Sequence, residues 1–92
     1  FALQQNYPNP FNPTTSIKYQ LPVKSHVALV IYDVLGKRVA TLMDGIEEAG
    51  YKEMQWNASN SASGVYFYRI LATPTNGSAK PLTLVRKMVL LK

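Results

Sequence analysis

From Thr15 to Leu21 polar and apolar residues alternate strictly, with Ile17, Tyr19 and Leu21 on one face and Ser16, Lys18 and Gln20 on the other. A period of two is the mark of a half-buried β-strand, and Pro22 ends it by removing a ladder donor. Val27 to Tyr32 is apolar at every position and rich in β-branched residues. That suits a central strand covered on both faces, either by neighbouring elements or by the N-terminal segment. Asp33 to Lys37 carries turn chemistry, with Asp33 at the entry and Gly36 free to take positive φ. A hairpin into Arg38 to Met43 follows, and Asp44-Gly45 with Ala49-Gly50 brackets a second reversal. In Tyr51 to Trp56 the alternation points Met54 and Trp56 inward. Asn57 to Gly64 has loop composition. Val65 to Ala72 sets Tyr66, Tyr68 and Ile70 against Val65, Phe67 and Arg69. Thr73 to Pro81 reads as a long hairpin loop and Leu82 to Leu91 as the closing strand. Apolar residues nowhere recur at helical spacing for three turns, so no long helix is expected.

Phe1 to Pro13 behaves differently. Pro8, Pro10 and Pro13 alternate with Asn6, Asn9 and Asn12, and each proline pushes its predecessor toward extended geometry. The segment reads as an extended strap over 1-13 with Phe1, Leu3, Tyr7 and Phe11 available to dock on a sandwich over 14-92. About seven short strands separated by turn signals predict an all-β fold, an antiparallel β-sandwich of the Ig-like or fibronectin-III-like kind.

The chain has 92 residues, enough for one domain. At this size folding hides only about 60 to 65% of the unfolded surface, which leaves little room for a deep catalytic cavity. With 47% hydrophobic and 16% charged residues the composition is globular. The longest apolar run is six residues, against roughly 20 for a membrane-spanning helix. The first residue is Phe1 and no signal-peptide pattern precedes the prolines, so the chain reads as a piece excised from a longer protein. The net charge of +5 is unevenly placed: all five acids lie between Asp33 and Glu53, and nothing after Glu53 carries a carboxylate. Such a surface is a solvated face or one that favours an anionic partner.

The side chains offer little for catalysis. There is no cysteine and one histidine, His26, so a metal site or a nucleophile with its base lacks the converging groups it needs. Glu47 and Glu48 are neighbours in sequence and point to opposite faces of an extended chain. No phosphate-binding glycine loop and no nucleophile elbow occur. No enzyme activity, metal or cofactor is expected, and no nucleic-acid motif is found. Tyr19, Tyr32, Tyr51, Trp56, Tyr66, Phe67 and Tyr68 could form an aromatic platform for sugar rings, although in a small sandwich large aromatics are more often core and cross-strand packing. Asn57-Ala58-Ser59 and Asn76-Gly77-Ser78 match the glycosylation tripeptide, a pattern that recurs by chance.

The order of certain residues is more specific than their physics. The run Gln5 to Thr15, with Asn6, Pro8, Pro10, Phe11 and Pro13, is followed by Ile17-Lys18-Tyr19-Gln20-Leu21-Pro22. Val30 to Val39, with Tyr32, Asp33 and Gly36, comes next, then Gly50, Trp56-Asn57, and Gly64-Val65-Tyr66-Phe67-Tyr68-Arg69. Arg86 to Lys92 closes the chain. In this register the chain resembles the C-terminal sorting domains of the type IX (Por) secretion system, type A, over essentially its whole length. Its middle blocks are also similar to the Ig-like domain of flagellar hook-capping proteins. The loop after Trp56 lacks the Asp-Gly of many sorting domains.

The resemblance implies a non-catalytic module that directs an N-terminal cargo through the periplasm and across the outer membrane of a Gram-negative bacterium to cell-surface attachment. The implied partners are an outer-membrane translocon, a sortase-like surface peptidase, the cargo and an anionic lipopolysaccharide. Lys87, Met88, Val89, Leu90, Leu91 and Lys92, an alternating strand at the chain end, are the candidate recognition residues, since such a strand can be read by strand addition. Asn6, Pro8, Pro10, Phe11, Pro13, Tyr32, Asp33, Gly36, Gly50, Trp56, Gly64, Tyr66 and Tyr68 are motif residues expected to shape the fold. The alternative from another class is an ancillary carbohydrate-binding or spacer sandwich of a secreted glycoside hydrolase. It would present two or more aromatics on one open face.

Overall fold

The computed structural model describes residues 1–77 and 80–92, and every described element is a β-strand or a turn. The elements are β1 (Ala2–Leu3), β2 (Thr14–Leu21), β3 (Ser25–Asp33), β4 (Arg38–Glu47), β5 (Gly50–Asn57), β6 (Gly64–Pro74) and β7 (Leu82–Leu90). They form a three-stranded sheet in the order β1-β2-β5 and a four-stranded sheet in the order β4-β3-β6-β7, with antiparallel pairing in both. The two sheets face each other as a β-sandwich.

The inward residues follow the alternation. Ile17, Tyr19 and Leu21 from β2 meet Val27, Leu29 and Ile31 from β3, Tyr66, Tyr68 and Ile70 from β6, and Met88 and Leu90 from β7 in one cluster. Trp56 is buried one residue before the end of β5, where its ring lies 5.7 Å from that of Phe11 and 5.4 Å from that of Tyr66. These three rings close one end of the core. Tilted and edge-on contacts of this kind add roughly 0.5 to 1.5 kcal/mol per pair beyond area burial.

Two sequence expectations need correction. The strand expected to end at Met43 continues through Asp44-Gly45 to Glu47, and the bracketed reversal is confined to Glu48 and Ala49. Pairing to β3 through Ala28↔Asp44 and Val27↔Gly45 overrides the local turn preference. The strap also does not cover β3. β3 is central because β4 and β6 flank it, and its outward Val30 is buried among cross-strand neighbours that include Thr41 and Arg69.

The Asp33 to Lys37 turn forms as its composition dictates. The Asp33 carboxylate accepts from the backbone N–H groups of Leu35 and Lys37, both at 2.9 Å. Gly36 sits at φ +82°, a conformation that a Cβ disfavours. The second glycosylation tripeptide ends at Ser78, outside the described residues; in the first, Asn57 accepts from the backbone N–H of Ser59 within a tight turn.

Candidate functional site

The strap closes one side of the sandwich by bridging the edges of the two sheets. Its first half runs beside β2: Ala2 and Leu3 pair with Gln20 and Tyr19, and Tyr7 exchanges two backbone hydrogen bonds with Ser16. Its second half crosses to β7. The Phe11 N–H donates to the Val89 carbonyl and the Phe11 carbonyl accepts from Leu91, both at 3.0 Å. The Asn9 side chain accepts from the Val89 N–H and the Gln5 amide donates to the Lys87 carbonyl. The peptide bonds preceding Pro8, Pro10 and Pro13 are cis.

A polar cluster beneath the strap holds it in place. The Tyr68 hydroxyl accepts from the Asn6 N–H at 2.8 Å and donates to the Gln4 carbonyl at 2.7 Å. The Asn6 amide donates to Thr15 and to the Pro8 carbonyl, and the Thr15 hydroxyl donates to the same carbonyl. Among the described residues no buried side-chain N or O lacks a partner, which is what a buried polar cluster needs to be stabilising. Burial pushes the Tyr68 phenol up, against lowering contributions from the Asn6 backbone and Arg86. The Tyr19 phenol is also raised, by burial first and then by its hydrogen bond to Glu47 and that carboxylate's charge.

The predicted recognition residues therefore lie on a seam between β7 and the strap. Met88 and Leu90 are fully buried and belong to the core. Lys87 and Leu91 are exposed and Val89 is half-buried. Lys92 is exposed, but its ammonium donates to the Ser59 carbonyl at 2.5 Å and its backbone N–H to Ser63 at 2.9 Å. Of the strap side chains, Leu3 and Phe11 are 2% exposed and Phe1 is half-buried. Tyr7 is 81% exposed and does not dock. Its hydrogen-bonded pairing with Ser16 puts it on the outward face of β2, since directly paired residues share a face. Asn6, with its amide buried, is the strap residue whose weight periodicity alone does not reveal. Its signals are the Asn-Pro alternation and its place among the motif residues of the family resemblance.

Pro8 and Pro10 are exposed and Pro13 half-buried. Gly50 and Gly64 take positive φ where β5 and β6 begin. Tyr32 lies on the outward face of β3, where the Arg69 guanidinium sits 5.2 Å from its ring centroid and donates to its hydroxyl at 2.8 Å. Trp56, Tyr66 and Tyr68 are covered, whereas Tyr51, like Tyr7, is about four-fifths exposed. His26 and Asp44 form an exposed pair at 3.2 Å, and no three groups of metal-ligating type converge among the described residues.

No curated protein and no solved structure matches the chain. A family model described as the secretion system C-terminal sorting domain matches residues 5–83, from the strap to the first residues of β7. That family is a non-catalytic signal module of type IX secretion, and it implies a secreted or cell-surface protein that carries the domain beside an N-terminal cargo. With the matched residues spanning both sheets and the strap that joins them, the chain belongs to the family of secretion system C-terminal sorting domains.

Proposed function

We propose that this domain carries its cargo from the periplasm across the outer membrane and on to attachment at the cell surface. In this reading an outer-membrane translocon and a sortase-like surface peptidase meet the domain at the seam between strap and β7. The observation that carries the proposal is the division of labour in the last six residues. Met88 and Leu90 are committed to the core, which leaves Lys87, Leu91 and Lys92 displayed beside the strap. A rigid display of this kind gives a partner a fixed pattern of charge and apolar surface to read.

The test is a cargo fusion bearing Lys87→Ala with Lys92→Ala. Surface substitutions cost within about 0.5 kcal/mol, so the domain stays folded. The expected result is active cargo retained in the periplasm. Normal surface display of the folded double variant would rule the two lysines out as the signal.

A second reading has its own observation. Tyr7 and Tyr51 lie on the same outward face of the three-stranded sheet, opposite Ser16 and Gln20. From that register they stand about 16 Å apart. Lys18 and Glu53 lie between them in shallow depressions of about 350 and 200 Å³. Flat amphipathic rings flanking polar groups suit a neutral oligosaccharide. Titration with soluble polysaccharides decides: millimolar or tighter binding that Tyr51→Ala abolishes would favour the carbohydrate-binding module.

A further inference from the structure

An antiparallel strand turns the N–H and C=O of alternate residues to each side. In β7 the even-numbered residues face β6, and the strap's bonds to Lys87, Val89 and Leu91 mark the odd-numbered ones as facing outward. The strap satisfies the backbone groups of this outer row only from the Lys87 carbonyl onward; before it, the Leu3 carbonyl of the strap accepts from the Arg86 side chain at 2.6 Å and leaves the backbone row unpaired. Among the described residues no hydrogen bond reaches the N–H and C=O of Thr83, the N–H and C=O of Val85, or the N–H of Lys87. Strand addition over Lys87 to Leu91 is therefore blocked while the strap is seated, and the open row lies immediately before it.

The β4 and β5 edges carry charges of both signs or register shifts within their paired length, whereas on the open stretch of β7 the charges, Arg86 and Lys87, come only at its C-terminal end and are both positive. β4 carries two register shifts together with Arg38, Asp44 and Glu47, and β5 carries Lys52 and Glu53. Bulges and charges are the usual means of keeping an edge from pairing. Leu82-Thr83-Leu84-Val85 has neither proline nor charge, and Leu82, Leu84 and Val85 are 40, 38 and 55% exposed. Cations surround it. On the outward face Arg69 lies directly across from Val85 and Lys87 follows two residues on, with Lys80 nearby in sequence; Arg86, on the other face, is held by the Leu3 carbonyl of the strap. No residue of β6 or β7 carries a carboxylate.

We propose that the Thr83 to Lys87 edge of β7 accepts an extended, acidic segment of a partner protein by strand addition. The open backbone row supplies the pairing. A strand laid against it turns alternate side chains toward Arg69 and Lys87 on one face and toward Leu82 and Leu84 on the other, so the fitting segment alternates carboxylates with apolar residues. The inference rests on the reading of the domain as one docked by secretion machinery, and it places that docking in the half of β7 that the strap leaves open.

The probe is a capped hexapeptide of alternating glutamate and valine, with the lysine–valine counterpart as control, added to the whole 92-residue chain. Amide exchange at Thr83, Val85 and Lys87 should slow by about tenfold or more at saturation, added salt should weaken the effect, and the lysine peptide should have none. Val85→Pro removes an outward donor while leaving the bonds to β6, as edge prolines do, and should abolish the effect. If that variant fails to fold, Val85→Glu keeps the backbone and should repel the acidic peptide. Equal action of both peptides, protection elsewhere on the domain, or no protection at millimolar peptide would overturn the proposal. So would a concentration-dependent dimer that protects the same amides without peptide, because the occupant would then be a second copy. In a cargo fusion, failure of the unaltered domain to export would count against the sorting reading itself. Normal export of folded Val85→Glu beside an exporting unaltered domain would sink only the edge.

Discussion

The single hydroxyl of Tyr68 ties the strap to the sandwich, because it both accepts from Asn6 and donates to Gln4 across more than sixty residues of sequence. Tyr68→Phe keeps the ring volume and strands both backbone groups. Leaving a buried donor or acceptor unmet costs about 1 to 3 kcal/mol, so the melting temperature should fall measurably while the β-sheet circular dichroism is kept. Tyr19 and Tyr68 also make the fold sensitive to alkali. Both phenols are raised above their ordinary value in the folded chain, so the fold favours the protonated forms. Their contribution is fully present below the unfolded value of about 10 and is lost as pH rises toward the higher folded values. Denaturation midpoints should therefore drop above pH about 10. Tyr19→Phe, which removes one titrating group, should flatten that drop; an equally steep drop in the variant would place its cause elsewhere.

At the scale of elements the strap is a structural member whose parts differ sharply in weight. Phe11 is buried against Trp56 and pairs with both Val89 and Leu91, whereas Tyr7 contributes backbone pairing and an exposed ring. Phe11→Ala should cost about 3 to 5 kcal/mol, the usual range for a buried aromatic. Tyr7→Ala should stay within about 0.5 kcal/mol. Urea denaturation of the two variants provides the check, and equal destabilisation would mean that the strap acts only through its backbone.

At the scale of the whole molecule the two chain termini are one structure. The strap covers the outer edge of the last strand from the Lys87 carbonyl onward, and Met88 and Leu90 fill the core beneath it. Removing Lys87 to Lys92 deletes two fully buried side chains, at about 2 to 5 kcal/mol each, from a domain whose total stability is of order 5 to 15 kcal/mol. The truncated chain should lose cooperative thermal unfolding. A truncation that still melts cooperatively would mean that the strap and remaining strands carry the fold unaided. For the same reason an export defect after truncation does not separate a lost signal from a lost fold, and side-chain substitutions on the outward positions do.

The alternations in β2, β5 and β6, the Asp33 to Gly36 turn and the loop after Trp56 were legible in the sequence, because each depends on residues within one strand or turn. The β-sandwich followed from their spacing, although its seventh strand, β1, lies within the segment read as a strap, and the family followed from the order of its blocks. What the sequence left open were matters of position between segments far apart along the chain. The Asp44-Gly45 pair has turn chemistry, yet its pairing with Val27 and Ala28 keeps it in β4. Tyr7 and Phe11 look alike as aromatics in a Pro-rich run, and the register against β2 and β7 alone turns one outward and the other into the core. The open row at Thr83 and Val85 could be found only once the strap's end point on β7 was known. Local patterning determines which face of a strand is apolar; which edges are covered is decided by loop closure and packing over the whole chain, and no short window of sequence contains it.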